Sequence, residues 1–147
     1  MFRKMRRFKQ QLEQKECIEV LKSQPRGVLS ILGEDGYPYG IPIDYWYCEE
    51  ENRIDAIKEC DKASFCVYDE GYREEGEWAL NIKSVIIFGR IRLVEEQEKS
   101  LSICRELCFK FTDDEEYIQK EIENAGKRVQ CLELIPEHMT GKLVKES

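Results

Sequence analysis

The chain has 147 residues, of which 23 are Lys or Arg and 30 are Asp or Glu, so its formal net charge is −7. The length fits one domain over residues 1–147, and a composition of 41% hydrophobic and 36% charged residues excludes a disordered or fibrous chain. No run approaches the ~20 apolar residues of a membrane-spanning helix, and the start, MFRKMRRFKQ, lacks the apolar stretch of a signal peptide. We therefore expect a cytoplasmic globular protein.

Charge and cysteine usage narrow the classes of partner. The first ten residues contain five basic and no acidic side chains, so the rest of the chain is strongly acidic, which argues against a nucleic-acid groove. The basic arm is either a solvated terminus or a phosphate-binding segment. The seven cysteines include no Cys-X-X-Cys pair, which favours free thiols in a reducing compartment, with a redox-sensing thiol as the alternative and no metal site predicted.

The first part of the chain predicts a helix followed by a hairpin. Residues 10–23 place four apolar side chains on one helical stripe, namely Leu12, Cys17, Ile18 and Leu21. Pro25 ends that helix. The apolar run at 28–32 predicts a strand, and the Gly-Glu-Asp-Gly sequence at 33–36 indicates a tight turn into a second strand.

Residues 37–48, YPYGIPIDYWYC, are the most informative part of the sequence. The odd positions are all large and apolar: Tyr37, Tyr39, Ile41, Ile43, Tyr45 and Tyr47. Successive strand side chains point to opposite faces, so the even positions form the other face of the strand. That face begins with the small or ring-locked residues Pro38, Gly40 and Pro42. Pro38 and Pro42 remove two ladder donors, which indicates an edge or irregular strand. Such a face lets a flat ligand approach the backbone; alternatively, the prolines only block aggregation at an edge.

The remainder of the chain alternates between strand and helix patterns. In order, these are a short helix at 54–62, a strand at 63–69, a polar loop at 71–77, a long strand at 83–95, helices at 96–111 and 113–125, and a last strand at 129–135. Gly89 indicates a bulge in the long strand, and Pro136 is expected to end the last strand. Five strands with antiparallel signals predict a small Greek-key barrel with helices packed outside it.

The order of these segments resembles a known family. Its most specific pieces are DGYPYGIPIDYWY, the segment SVIIFGR and the tail EHMTGK. The chain is similar over roughly residues 10–145 to the pyridoxamine 5′-phosphate oxidase-like FMN-binding split barrels, and within them to the branch of nitroimidazole-resistance proteins. This resemblance implies a six-stranded antiparallel Greek-key split barrel that forms a homodimer, with FMN at the subunit interface.

The resemblance also implies which residues hold the flavin. The YPYGIPIDYWY strand of the family lies along the cofactor, so the expected contacts are Ile41, Pro42, Ile43, Asp44 and Tyr45. Ser84 and Val85 correspond to a second cofactor strand, where the Ser84 hydroxyl would serve a phosphate or ribityl oxygen. Trp78 is expected near the dimer cleft, with an ordinary core tryptophan as the alternative.

The implied activity is that of an FMN-dependent oxidoreductase reducing a small electrophile such as a nitro compound. No catalytic triad, paired carboxylates or Rossmann glycine motif adds other chemistry, and no catalytic residue is assigned. The alternatives are a non-catalytic dimeric module that binds FMN or haem, and a flavin-free structural dimer.

One departure from the family pattern follows the Tyr-Trp-Tyr strand. There the family continues into a further strand and a glycine-containing loop that hold the flavin phosphate, whereas here Arg53 leads into Ile54 and a helical pattern. His138, the single histidine, does not replace the one in that segment, and we expect it in a surface tail. Because residues 37–48 need a hairpin partner, we expect a break with a missing segment between Arg53 and Ile54. A continuous chain there would favour the flavin-free dimer.

Overall fold

The structure is a computed structural model that describes residue 2 and residues 5–33, 36–48, 53–54 and 62–145. Over these residues it has three helices and eight strands: α1 (Gln14–Ser23), β1 (Arg26–Leu32), β2 (Pro38–Asp44), β3 (Tyr47–Cys48), β4 (Arg53–Ile54), β5 (Lys62–Tyr68), β6 (Tyr72–Arg73), β7 (Leu80–Leu93), α2 (Gln97–Cys108), α3 (Glu115–Ala125) and β8 (Leu132–Lys145). None of the described helices is long and apolar enough to cross a membrane.

The described strands form one antiparallel sheet in the order β2-β1-β5-β7-β8-β4-β3, with β6 pairing with β7. β2 and β3 lie at the two ends of this order, although only Tyr45 and Trp46 separate them in the chain. The chain therefore crosses from one end of the strand order to the other at this point. The predicted antiparallel split-barrel architecture is confirmed, as is the edge position of β2, but residues 37–48 form two strands rather than one.

The core lies on the inner face of the sheet, against α1. Alternate side chains of the central strands are fully buried: Leu29, Phe65, Val67, Val85 and Ile87. Cys17 and Leu21 of α1 pack into the same cluster, as their helical stripe predicts. Full burial of an aliphatic or aromatic side chain stabilises the fold by roughly 2 kcal/mol relative to exposure, so this cluster holds the helix on the sheet.

The chain is continuous between Arg53 and Ile54, so the expected break is wrong. The two residues form β4, in which Ile54 pairs with Tyr47 of β3 and with Leu134 of β8. The hairpin partner of β3 is therefore β4. With two residues, this strand is too short to show an alternation of apolar and polar side chains in the sequence. The predicted helix at 54–62 is wrong at both ends, because Ile54 and Lys62 belong to strands. Its remaining part, residues 55–61, lies outside the described residues.

β8 continues through Pro136 rather than ending before it. The bulge predicted at Gly89 is confirmed: the register of β7 and β8 shifts between Phe88 and Gly89, and Gly89 lies opposite Pro136. A bulge interrupts the ladder locally, so the missing N–H of proline is tolerated there. The EHMTGK segment is therefore part of a central strand, and His138 lies opposite Phe88 instead of in a surface tail.

Smaller differences concern the helices and the polar loop. Asp114 caps α3 by accepting a hydrogen bond from the Tyr117 N–H at 3.0 Å, so this helix begins at Glu115 rather than at residue 113. The helix predicted at 96–111 ends at Cys108, and its buried side chains are Ser100 and Ile103. The predicted loop at 71–77 contains β6, which pairs with the start of β7.

Candidate functional site

The face of the sheet opposite the core carries rows of small, apolar and hydroxyl-bearing side chains. The pairing register aligns one row across five strands: Pro42, Val28, Cys66, Ile86 and Thr140. A second row, two residues along each strand, contains Gly40, Ser30, Ser64, Phe88 and His138. Because alternate residues along a strand share a face, both rows lie on one surface. We call this surface, made by the two rows and their flanking residues on the same face, the outer face.

The outer face is partly exposed although many of its side chains are apolar. Ile86 is 39% and Phe88 41% exposed, and the nearby Leu32 and Tyr68 are more exposed still. Their chain neighbours on the inner side, Val85 and Ile87, are fully buried. A contiguous exposed apolar surface of this kind marks a site of ligand binding or of protein association.

A cleft of about 550 Å³ opens on this face and is lined by residues that include Ser30, Pro38, Ser64, Phe88 and Arg90. Phe2 from the N-terminal arm also lines it. The Phe2 ring stacks on His138 with 4.5 Å between centroids and 6° between planes, and on Phe88 with 5.6 Å and 22°. The cleft therefore accepts a flat aromatic group lying against a ring platform.

The charged side chains around the outer face include two ion pairs and two further lysines. Arg26 pairs with Asp44 at 2.8 Å, and Arg90 pairs with Glu137 at 2.9 Å. Lys62 and Lys142 add further positive charge, and Lys142 lies directly opposite Ser84 in the β7–β8 register. A hydroxyl beside an ammonium group is a suitable environment for a phosphate. Among the described residues, no group of three or more His, Cys, Asp or Glu side chains is arranged to hold a metal ion.

Of the predicted site residues, Pro42 and Ser84 have their side chains on the outer face. Pro42 is on β2 and Ser84 on β7, with β1 and β5 between them. Since neighbouring strands lie about 4.8 Å apart, these positions are separated by about 15 Å. Only an elongated ligand lying across β1 and β5 would contact both.

The other predicted residues are placed differently. Ile43 packs against the core cluster, and Ile41 shares its side of β2 by alternation. Tyr45 is 1% and Val85 0% exposed, so only main-chain atoms of these two residues could meet a ligand on the outer face. Asp44 is on the same side of β2 as Pro42 by alternation, and it is exposed at the end of the strand, opposite Arg26.

Trp78 lies just before β7 and is 74% exposed. The alternative of an ordinary core tryptophan is therefore wrong. Trp78 belongs to neither of the two rows that define the outer face.

Lys110 is a residue near the site that the sequence did not single out. Its Nζ donates hydrogen bonds to the main-chain oxygens of Gln24 and Tyr45, each at 2.9 Å, and lies 3.9 Å from the centroid of the Tyr45 ring. Burial lowers the pKa of Lys110 to about 8, an effect that the nearby Asp44 carboxylate partly opposes. The Tyr45 hydroxyl donates to Leu21 O at 2.7 Å, and burial raises the pKa of that phenol. These contacts fix the chain where it leaves β2 for β3.

Comparison with solved structures gives several proteins of the same fold. A candidate 5-nitroimidazole antibiotic resistance protein from Bacteroides thetaiotaomicron has a TM-score of 0.74 and 13% identity, covering 92% of this chain and 87% of its own. The flavocytochrome of Azotobacter vinelandii has a TM-score of 0.76 and 16% identity, over 96% of this chain and 72% of that one. An FAD-binding protein of Mycobacterium smegmatis has a TM-score of 0.63 and 16% identity, over 93% and 99%. At such identities the likeness shows the fold alone.

Sequence comparison extends this result to the family. A search of curated proteins finds no significant match. The family model described as pyridoxamine 5′-phosphate oxidase, however, matches residues 13–143, which is nearly the whole chain. The match spans every described strand except the last residues of β8. The chain therefore belongs to the pyridoxamine 5′-phosphate oxidase family.

Proposed function

We propose that this protein binds FMN on the outer face at the interface of a homodimer, and that it is an oxidoreductase reducing a small electrophile such as a nitro compound. The observation that carries the proposal is the outer face itself. It combines Pro42 and Ser84, which the resemblance to the family places on two cofactor strands, with a ring platform at Phe88 and His138.

The residues of the outer face suit each part of the cofactor. Main-chain groups of residues 41–45, at the edge of the sheet, would serve the pyrimidine edge of the flavin. Ser84 and Lys142, opposite each other on β7 and β8, would hold the phosphate. The separation of about 15 Å between Pro42 and Ser84 requires an elongated ligand, which FMN is. When bound, the flavin supplies the electron transfer, while the protein positions it and excludes water.

The cleft that contains Phe2 is the proposed position of the substrate. The cleft is lined by Ser30, Ser64 and Phe88, which belong to the second row. This row is two residues away from the Pro42–Thr140 row on each strand, so the cleft lies next to the first row. A flat nitro compound that displaced the Phe2 ring from Phe88 and His138 would therefore lie beside a flavin that follows the first row. Lys62, which also lines the cleft, would attract the negatively polarised nitro oxygens.

The test is a titration of the purified protein with FMN, followed by reduction with NAD(P)H in the presence of a nitroaromatic compound. Ser84→Ala should weaken FMN binding about tenfold, since it removes a hydrogen bond to a charged group. Ser102→Ala, on an exposed position of α2, is the matched control and should leave binding unchanged. Turnover of the nitro compound by the FMN-loaded protein supports the oxidoreductase.

A second function is favoured by the continuity of the chain at Arg53 and Ile54. The phosphate-holding segment of the family pattern is not present between them, which favours a flavin-free dimer. Failure of the wild-type protein to bind FMN would support that function and reject the oxidoreductase. Saturable FMN binding without turnover would instead support a carrier module, and a parallel haem titration tests the haem-binding form.

A further inference from the structure

We propose that Cys104 and Cys131 form a reversible dithiol–disulfide site that is oxidised by a small-molecule disulfide such as glutathione disulfide. This inference is independent of flavin binding and of the proposed activity. It concerns a different part of the molecule, the junction of α2 with the start of β8.

The two sulfur atoms are close in space although the residues are far apart in sequence. Their Sγ atoms are 3.8 Å apart, although the residue numbers differ by 27. A disulfide bond is about 2.05 Å long, so modest side-chain rotations would bring the sulfur atoms into bonding contact. Cys131 Sγ also lies 3.6 Å from the main-chain oxygen of Ser100 on α2, which keeps this thiol directed at the helix.

The thiol pair lines an open cleft, which gives an oxidant a route to it. The cleft has a volume of about 280 Å³ and is bounded by Ile103, Cys104 and Leu107 on one side and by Asp44 and Trp46 on another. Both cysteines are partly buried rather than fully enclosed. By contrast, Cys17 is fully buried, and burial raises the pKa of the Cys17 and Cys66 thiols, which disfavours their reactive thiolate forms.

The reaction is a two-step thiol–disulfide exchange. The thiolate of one cysteine attacks a sulfur of glutathione disulfide, forms a mixed disulfide and releases one glutathione thiolate. The thiolate of the other cysteine then attacks the protein sulfur of the mixed disulfide and releases the second glutathione. The protein loses two electrons and two protons in total, and the oxidant is reduced to two thiols.

The resulting crosslink would close a loop that contains the whole of α3. It would tie α2 to the start of β8 and fix that wall of the cleft relative to the β2–β3 connection at Asp44 and Trp46. Because a crosslink restricts the unfolded chain, the oxidised protein should melt several degrees above the reduced protein.

The experiment treats the full-length protein with glutathione disulfide, blocks remaining thiols by alkylation and maps the peptides by mass spectrometry. We expect a Cys104–Cys131 crosslink within one chain, reversed by dithiothreitol. Cys104→Ser and Cys131→Ser should each abolish both the crosslink and the melting shift. Cys108→Ser, one turn further along α2, is the matched control and should retain both.

The wild-type peptide map decides the matter even if a serine variant fails to fold. Alkylation of both Cys104 and Cys131 after oxidation would overturn the proposal. So would a crosslink joining Cys104 to Cys108, or one formed only between two chains.

Discussion

Two ionisable side chains lie away from full solvent exposure at positions where the sequence shows only ordinary charge: Glu133 is buried and Lys110 is half-buried. Glu133 lies between Leu132 and Leu134 in β8 and is 2% exposed, with Arg92 and Lys99 as its partners. Lys110 is held by two main-chain carbonyls and an aromatic ring. Arg92 and Lys99 neutralise the charge of Glu133. The ammonium group of Lys110 is instead bound by neutral main-chain oxygens and an aromatic ring. The two residues should therefore respond differently to substitution and to pH.

We expect Glu133→Gln to lower the free energy of unfolding by about 2 kcal/mol, because it removes a buried charge that two cations contact. The loss is moderate since the side chains of Arg92 and Lys99 are 56% and 34% exposed and can regain water. Glu116→Gln is the control: its exposed pair with Lys120 on α3 should contribute less than about 0.5 kcal/mol. Urea unfolding measures both values, and equal effects would show that burial of Glu133 adds nothing.

The Lys110 site should make stability depend on pH above 8. Its pKa is about 8 in the folded protein against an ordinary value of 10.5, so between these values the unfolded chain binds more protons. Stability contributed by this residue therefore rises with pH over that interval. The difference in unfolding free energy between the wild type and Lys110→Met should grow between about pH 7.5 and about pH 10. Lys120→Met, at an exposed position of α3, is the control for the loss of a lysine side chain. A difference for Lys110→Met that does not change with pH would reject the assignment.

At the scale of elements, the strands with long alternation could be predicted and the short or partner-dependent ones could not. β5 and the body of β7 follow directly from apolar residues at every second position, and the β1–β2 hairpin follows from its glycine turn. β4 has two residues, so no local pattern reveals it. β8 continues through Pro136 because of the bulge in its neighbour β7. The sequence of residues 129–136 alone contains no sign of that bulge.

The candidate site shows the same division. Pro42 and Ser84 were singled out by the strand motifs, but their position on one face depends on the register of four strands. Phe88 and His138 come together only because the bulge sets the β7–β8 alignment. Lys110 reaches Tyr45 from a distant helix end, and no residue spacing near it predicts that contact. Local sequence therefore proposes single residues of the candidate site, while their position on one face follows from non-local pairing.

The bulge itself gives a prediction for Gly89→Ala. A methyl group there would lie 2.2 Å from the main-chain oxygen of Ile135, and a backbone atom in a sheet cannot move aside cheaply. We expect the free energy of unfolding to fall by about 2–3 kcal/mol. Gly40→Ala is the control, since its nearest neighbour would be Val28 Cγ1 at 3.5 Å, an ordinary contact. Similar destabilisation by both substitutions would show that the close approach of β7 and β8 is not the cause.

For the whole molecule, the outer face poses a problem of solvation. The inner face of the sheet is covered by α1 and the core, whereas Ile86 and Phe88 on the outer face lie open in the isolated chain. A second copy that places the same surface against it would cover these side chains by two-fold symmetry. An obligate interface of this kind buries on the order of 2,000 Å². The proposed flavin site would then be closed by the partner subunit.

The last prediction follows from that arrangement: the wild-type protein should sediment as a dimer at micromolar concentration, and Ile86→Asp should shift it to the monomer. Ile86 lies inside the Pro42–Thr140 row, between Cys66 and Thr140, so a carboxylate there would be buried without a charged partner in the dimer but solvated in the monomer. An uncompensated buried charge should weaken association about 100-fold or more. Tyr117→Asp, on the exposed side of α3, is the control and should leave the dimer intact, with circular dichroism checking that both variants fold. A monomeric wild type, or equal behaviour of the two variants, would reject the outer face as the dimer interface. The proposal of a closed flavin site would then be rejected too, because no second subunit would cover Pro42 and Ser84.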